Sequence, residues 1–180
     1  MKLNIKSLLL LSALLLNANC ATHISKPSSL PESPKIKFGQ FKNVVMLPVT
    51  ISKEYASHGS NKKALKKIDE NLSKELIEVF PNLVRSEKCQ EQKTEGLCIK
   101  PNIKEIKFIG SAARIWVGAI AGSSAVLMNV EFIDNKTNIV LSNPEFYRSA
   151  SAFDGPWGVA DNMMLVYIAQ DIARYSANNK

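Results

Sequence analysis

Few side chains in this 180-residue chain could do covalent or acid–base chemistry: three cysteines (Cys20, Cys89, Cys98) and two histidines (His23, His58). A nucleophile needs a base within hydrogen-bond reach, and neither histidine stands near Cys89 or Cys98 in the sequence. Asp69 and Glu70 are adjacent, so on a helix they point in different directions. Asp154, Asp161 and Asp171 read as capping or surface residues of a late helix. A tetrahedral metal site needs further ligands beside Cys89 and Cys98. The expectation is a protein that is not an enzyme, with no catalytic residue, no metal and no cofactor. Cys89 and Cys98 bracket the polar stretch from Gln90 to Leu97. They could be a disulfide, two free thiols or half a metal site. The disulfide is favoured if the chain is exported, because thiols oxidise in that compartment.

Export is what the first twenty residues indicate. Lys2 and Lys6 precede the apolar stretch Ser7–Leu16, and Asn17-Ala18-Asn19-Cys20 follows. An apolar core of about ten residues suits a secretory signal and is too short to span a bilayer as a helix. A cysteine after small residues resembles the end of bacterial lipoprotein signal peptides. In those, the cysteine is acylated with palmitate-class chains and becomes the first mature residue. Leu16 lies four residues before Cys20 where that motif places Leu three before, and Asn19 replaces its usual Gly or Ala. The reading divides the chain into a signal peptide (1–19), a Pro/Ser-rich tether (20–40) and one periplasmic domain (41–177). The tether holds Pro27, Pro31 and Pro34 among serines, a composition that resists folding.

What remains after residue 19 is about 160 residues, enough for one domain with a real core. Apolar residues make up 46% and charged residues 22%, as in a globular protein. The net charge of +7 falls to +5 without Lys2 and Lys6. That suits anionic lipid headgroups, whereas nucleic-acid binding would need the charge gathered with aromatics on one face. No nucleic-acid partner is expected. The expected partners are the lipid bilayer, through acylated Cys20, and an envelope protein of unknown identity, with a homo-oligomer as a further option. The expected location is the outer membrane, facing the periplasm.

The periodicity predicts an α+β fold: a mixed sheet of about five strands with two helices packed on it. Val44–Leu47 reads as a strand buried on both faces. Asn61 is a candidate cap for a helix from Lys62, with Leu65, Ile68, Leu72, Leu76 and Val79 as its apolar stripe, widened by Ile77 and Phe80. Strands follow at 82–86, 99–109 and 123–134. In the last of these Val126, Met128, Val130 and Phe132 share a face. A turn at Asp134–Asn138 returns the chain as a strand over 139–152, broken at Asn143-Pro144. A final helix capped by Asp154 or Gly155 would place Val159, Met163, Val166 (with Tyr167), Ala169 and Ile172 (with Ala173) on one face, then fray from Ser176.

One segment stands apart. Gly110–Gly122 is almost all small or apolar, with glycines at 110, 118 and 122 and a single charge, Arg114. The favoured reading is a buried connection in which Arg114 is structural and Trp116 partly exposed. The functional alternative is an interaction surface made of Arg114, Trp116, Gly118 and Gly122, since Trp and Arg are enriched at binding hot spots. The string Gly110-x-Ala-Ala-Arg-x-x-x-Gly-x-x-x-Gly122, followed by an alternating strand, an Asp-x-x-Thr turn and a helix, resembles an uncharacterised family of bacterial lipoprotein domains. The strand ending Leu47-Pro48-Val49 is similar to openings of the curli-secretion lipoprotein and the N-terminal domain of the Tol-system periplasmic protein. The resemblance covers roughly Phe41 to Tyr175, with its motif confined to 110–134. Ile120 and Asn138 stand where glycines would be expected. It implies helices on a mixed sheet and no catalysis. The curli likeness implies the alternative of a subunit in an oligomeric outer-membrane secretion or transport assembly.

Stable anchoring takes two acyl chains where one is marginal. Replacing Cys20 with Ser is therefore expected to release the protein into the aqueous phase of a detergent partition or stall it as a precursor. Normal processing and retention in the membrane fraction would rule out the anchor.

Overall fold

Val44, Val45 and Met46 carry apolar side chains on both sides of the pleat, and the chain buries all three as strand β1 (Val44–Met46). This is seen in a computed structural model that describes residues 24–89, 95–117, 122–151 and 158–180. β1 lies between two parallel neighbours, β3 (Leu83–Arg85) and β4 (Leu97–Lys107). Only a strand covered on both faces tolerates such a continuous apolar run. Among the described residues the sheet has seven strands. β2 (Thr50–Ile51) extends the row of β1 along β4. β5 (Ser124–Asp134) pairs antiparallel with β4, and both β6 (Ile139–Ser142) and β7 (Glu145–Ala150) pair with β5. The rows run β3, β1, β4, β5, β6, so the expected five-row mixed sheet is present. The break at Asn143-Pro144 separates β6 from β7. Asn138 takes φ 57°, the left-handed conformation the turn demands.

Helices α2 (Gly59–Val79) and α4 (Val159–Asn178) cover one face of this sheet, α1 (Lys53–Ala56) precedes α2, and a short α3 (Ser111–Val117) lies in the connection from β4 to β5. Val126, Met128, Val130 and Phe132 are fully buried against α2 and α4, as the alternation predicts. The buried stripes of the helices agree with those expected at Ile68, Leu72, Leu76, Ala169, Ile172 and Ala173 and differ toward their ends. In α2 the inward residues are Asn61, Ala64, Ile68, Leu72 and Leu76, while Leu65 and Val79 lie at the margin. Asn61 is thus not a cap, because the helix starts two residues before it. In α4 the inward residues are Met164, Leu165, Ile168, Ala169, Ile172 and Ala173, while Val159 and Met163 face outward. The helix starts at Val159 after Gly158, whose φ is 80°. The expected caps Asp154 and Gly155 lie outside the described residues. Nor does α4 fray early: Ser176 is fully buried, and its hydroxyl donates to the Ile172 carbonyl.

The core begins ahead of the expected boundary at residue 41. Phe38 is fully buried, stacked on Phe132 at 4.5 Å and close to Tyr175. Its backbone N–H donates to the Asn179 carbonyl at 2.7 Å. Farther upstream, the Tyr175 hydroxyl donates to the Glu32 carbonyl, and Ile24 packs on Ala125 and Leu127. The stretch from Ile24 to Phe38 therefore lies along the domain from the start of β5 to its end. Prolines explain why it does so without joining the ladder. Burial pushes the Tyr175 phenol above its ordinary value of 10.0.

If Phe38 belonged to a free spacer, Phe38→Ala would leave stability unchanged. Its place in the aromatic cluster predicts a loss of about 3–5 kcal/mol, measurable by urea unfolding.

Candidate functional site

The C-terminal end of β4 and the N-terminal ends of α2 and α4 converge at one end of the domain. Asn61, 4% exposed, organises the junction. Its Nδ2 donates to the carbonyls of Tyr55 (3.1 Å) and Ile106 (3.3 Å), and its Oδ1 accepts from the Phe108 N–H (3.1 Å). Ser124 Oγ accepts from the Ile109 N–H at 2.9 Å, which fixes the next residue of the same chain end. Gly158 sits where an added Cβ would come within 3.1 Å of Ser111 Oγ and 3.3 Å of Ser111 Cα, so the starts of α3 and α4 are in close contact. Between these elements lies an open cleft of about 710 Å³. Its floor includes Ala64, Phe108 and Leu165, and Lys63 and Lys67 stand along the α2 side.

α3 rises beside this cleft. Ser111, Ala112, Ile115 and Trp116 are all exposed, Trp116 at 87% and Ile115 at 55%. Ser111, Ala112 and Ile115 depart from the expectation of a buried connection, and Trp116 is more open than the partial exposure expected of it. β4 ends at Lys107, so the helix projects past the end of the sheet, where nothing in the core can cover it. Arg114 lies in the same helix, but its side chain is outside the described part. Gly118 is outside the described residues too. Gly122 takes φ 82° as the chain turns into β5, a conformation that explains glycine there.

The other sequence-chosen residues separate into different roles. Cys89 and Cys98 form a disulfide with their Cα atoms 5.6 Å apart. Cys98 is buried in β4 opposite Val45, so the bridge fastens the chain leaving β3 to the next strand. Cys20 and His23 lie outside the described residues, and His58 immediately precedes α2. Asp69 accepts from both the Val49 N–H and the Arg85 guanidinium at 2.8 Å, which locks α2 to the sheet. Asp171 grips Arg148 of β7, and the Arg148 guanidinium also lies over the Tyr167 ring. The hydrogen bond to Asp171 raises the Arg148 pKa above its ordinary value. These carboxylates hold structure together. Among the described residues no group of three or more His, Cys, Asp and Glu could hold a metal ion, and no helix is long and apolar enough to cross a membrane.

The face of the sheet away from the helices carries a polar ladder. Thr50 Oγ1 donates to Asn102 Oδ1 (2.9 Å), Asn102 Nδ2 to Asn129 Oδ1 (3.1 Å), and Asn129 Nδ2 to Asn143 Oδ1 (2.9 Å). Ion pairs Lys100–Glu131 and Lys104–Glu145 flank it. The polar alternation of β5 gave a signal for this face, but the register joining the four residues did not show in the sequence.

No family model matches the chain, and no curated protein matches it. A solved structure shares its fold. The chain is similar to a point variant of the PelC dodecamer from Paraburkholderia phytofirmans, with a TM-score of 0.53 at 10% identity, covering 83% of this chain and 96% of that one. A protein from Xanthomonas campestris in the family DUF330 aligns with a TM-score of 0.47 at 7% identity, over 86% of this chain and 90% of that one. A minor lipoprotein from Acinetobacter baumannii aligns with a TM-score of 0.38 at 10% identity, over 77% and 92%.

Asn61→Ala would leave the Phe108 N–H without its acceptor in the interior. The expected cost is about 1–3 kcal/mol, read in a denaturant melt. Trp116→Ala in the same assay is expected to stay within about 0.5 kcal/mol of the unaltered protein. Replacing both Cys89 and Cys98 with Ser is expected to cost about 2–3 kcal/mol in the chain-entropy account of loop closure.

Proposed function

We infer that this chain is an exported lipoprotein of the bacterial envelope. Acylated Cys20 holds it on the outer membrane facing the periplasm, and it acts as a non-catalytic binding or assembly module through protein–protein contacts. The sequence of residues 1–20 supports the anchor. The observation that carries the contact reading is the state of the two sheet edges. β3 leaves Val84 58% exposed at one edge, and β6 leaves Ile139 58% and Val140 50% exposed at the other. An edge strand also offers backbone donors and acceptors to any chain that pairs with it. Apolar side chains beside such backbone are suited to a protein partner.

A second reading, a subunit of an oligomeric outer-membrane assembly, is favoured by the placement of these patches. Two different surfaces on opposite edges make a head-to-tail contact, which closes into a ring when the rotation permits. The PelC protein that shares the fold is a dodecamer.

Light scattering on the full chain in mild detergent separates the two. A multiple of the protomer mass that falls to one protomer in the Ile139→Lys/Val140→Lys variant supports the assembly. A single-protomer mass for the unaltered chain removes it. In that case, crosslinking in intact cells is expected to join Val84 or Ile139 positions to another envelope protein. Crosslinks to neither position would refute the contact reading.

A further inference from the structure

We propose that the end of the domain bearing α3 and the first turns of α2 docks on an anionic lipid surface, with Trp116 and Ile115 entering the interface and Lys63 and Lys67 facing the headgroups. The proposal rests on the lipid-anchor reading for the position of the bilayer, and on the geometry of this end for the docking.

The chain itself indicates which end faces the bilayer. Ile24 is buried against Ala125 and Leu127, at the start of β5. It lies four residues on from Cys20, and a chain of that length spans at most about 14 Å. Ala125 pairs with Lys107, the last residue of β4, and α3 occupies the connection from β4 to β5. An acylated Cys20 therefore brings the bilayer close to α3 and holds it away from Phe38, which lies beside Phe132 near the other end of β5.

The surface at this end has the matching chemistry. Trp116 is 87% exposed and stands beside exposed Ile115. Tryptophan is enriched at membrane–water boundaries because its ring is apolar and its N–H is polar. At the same end, Lys62, Lys63, Lys66 and Lys67 are all exposed on the first three turns of α2. Lys63 and Lys67 line the cleft that Ser111 and Ala112 of α3 also line. Lys66 has only a 3.9 Å contact with exposed Glu70. Of the acidic groups nearby, Glu54 lies on α1, Glu105 on β4, and Asp161 is buried at the start of α4 beside Gly158. Each lysine within a Debye length of an anionic leaflet adds about fivefold to partitioning. An exposed aromatic beside a lysine-rich helix end, next to an acyl chain, matches a lipid surface better than a folded protein partner, which would bring its own apolar core to the patch.

The test uses the full lipidated chain reconstituted into vesicles of phosphatidylcholine, with or without phosphatidylglycerol, containing brominated phosphatidylcholine as quencher. The Trp116→Phe variant, measured in parallel, isolates the Trp116 signal by difference. Mass analysis of Cys20 and vesicle flotation report the anchor separately. The expected result is quenching of Trp116 in anionic vesicles, at least threefold weaker in the Lys63→Glu/Lys67→Glu variant and in neutral vesicles. An acylated protein that floats with no quenching of Trp116 overturns docking and leaves the anchor standing. A protein without acylation that neither floats nor shows quenching overturns both. Quenching equal in neutral and anionic vesicles overturns the role of the lysines, and crosslinking of residue 116 to a protein in place of lipid overturns the choice of partner.

Discussion

The pairing of β4 with β5 is the constraint on which the rest of this structure depends. The two longest strands run antiparallel from Leu97 opposite Asp134 to Lys107 opposite Ala125. Side chains alternate along each, so one register decides both surfaces of the protein. It turns Val126, Met128, Val130 and Phe132 toward the helices and Asn129 and Glu131 toward solvent. A slip by one residue would place four large apolar side chains in water and polar groups under α2 and α4. A bulge between Ile103 and Glu105 absorbs one irregularity without changing the faces at either end.

Around that pair the sheet grows in two styles. Toward β1 and β3 it is parallel, with α2 crossing between them over the buried face. Toward β6 and β7 it is antiparallel and built from a tight turn. The buried face is apolar nearly throughout, with Asn61 and Asp69 as polar clasps that tie α2 to strand ends. Among the described residues no helix packs on the opposite face, where amide side chains bonded to one another lie beside a small apolar cluster of Ile24, Ala125 and Leu127. The main core lies on the helix side, and the sheet edges and the α3 end stay open to contacts.

The strands were legible because period two is hard to mistake over eleven residues, as at Ser124–Asp134, and because Pro144 and Asn138 mark their turns. The helices were legible as helices, with Ile68, Leu72 and Leu76 of α2 and Ala169 and Ile172 of α4 buried as expected, but the ends of both stripes were misplaced. Leu65 and Val79 compete with Ala64 for the inward side of α2, and only packing decides in favour of the smaller residue. The role of Asn61 is hidden for a related reason: an asparagine near a helix start usually caps it, and nothing local shows that Phe108 needs an acceptor there. Phe38 was hidden by the prolines around it, since composition describes a stretch and not the one aromatic that stacks on Phe132. At the candidate site the glycine-rich segment stood out in the sequence, whereas its exposure depends on β4 ending at Lys107.

The strand-free stretch from Ile24 to Phe38 has a mechanical consequence. It is fastened at its beginning by Ile24, in its middle by the Glu32 carbonyl on Tyr175, and at its end by Phe38. A pull applied through the N-terminus and directed past the α3 end acts along this strap. Its fasteners are then loaded in shear and share the force, and they do not open one after another as in peeling. Tension reaches β1 only after all three have yielded, so the sheet is shielded from forces that arrive through its own chain.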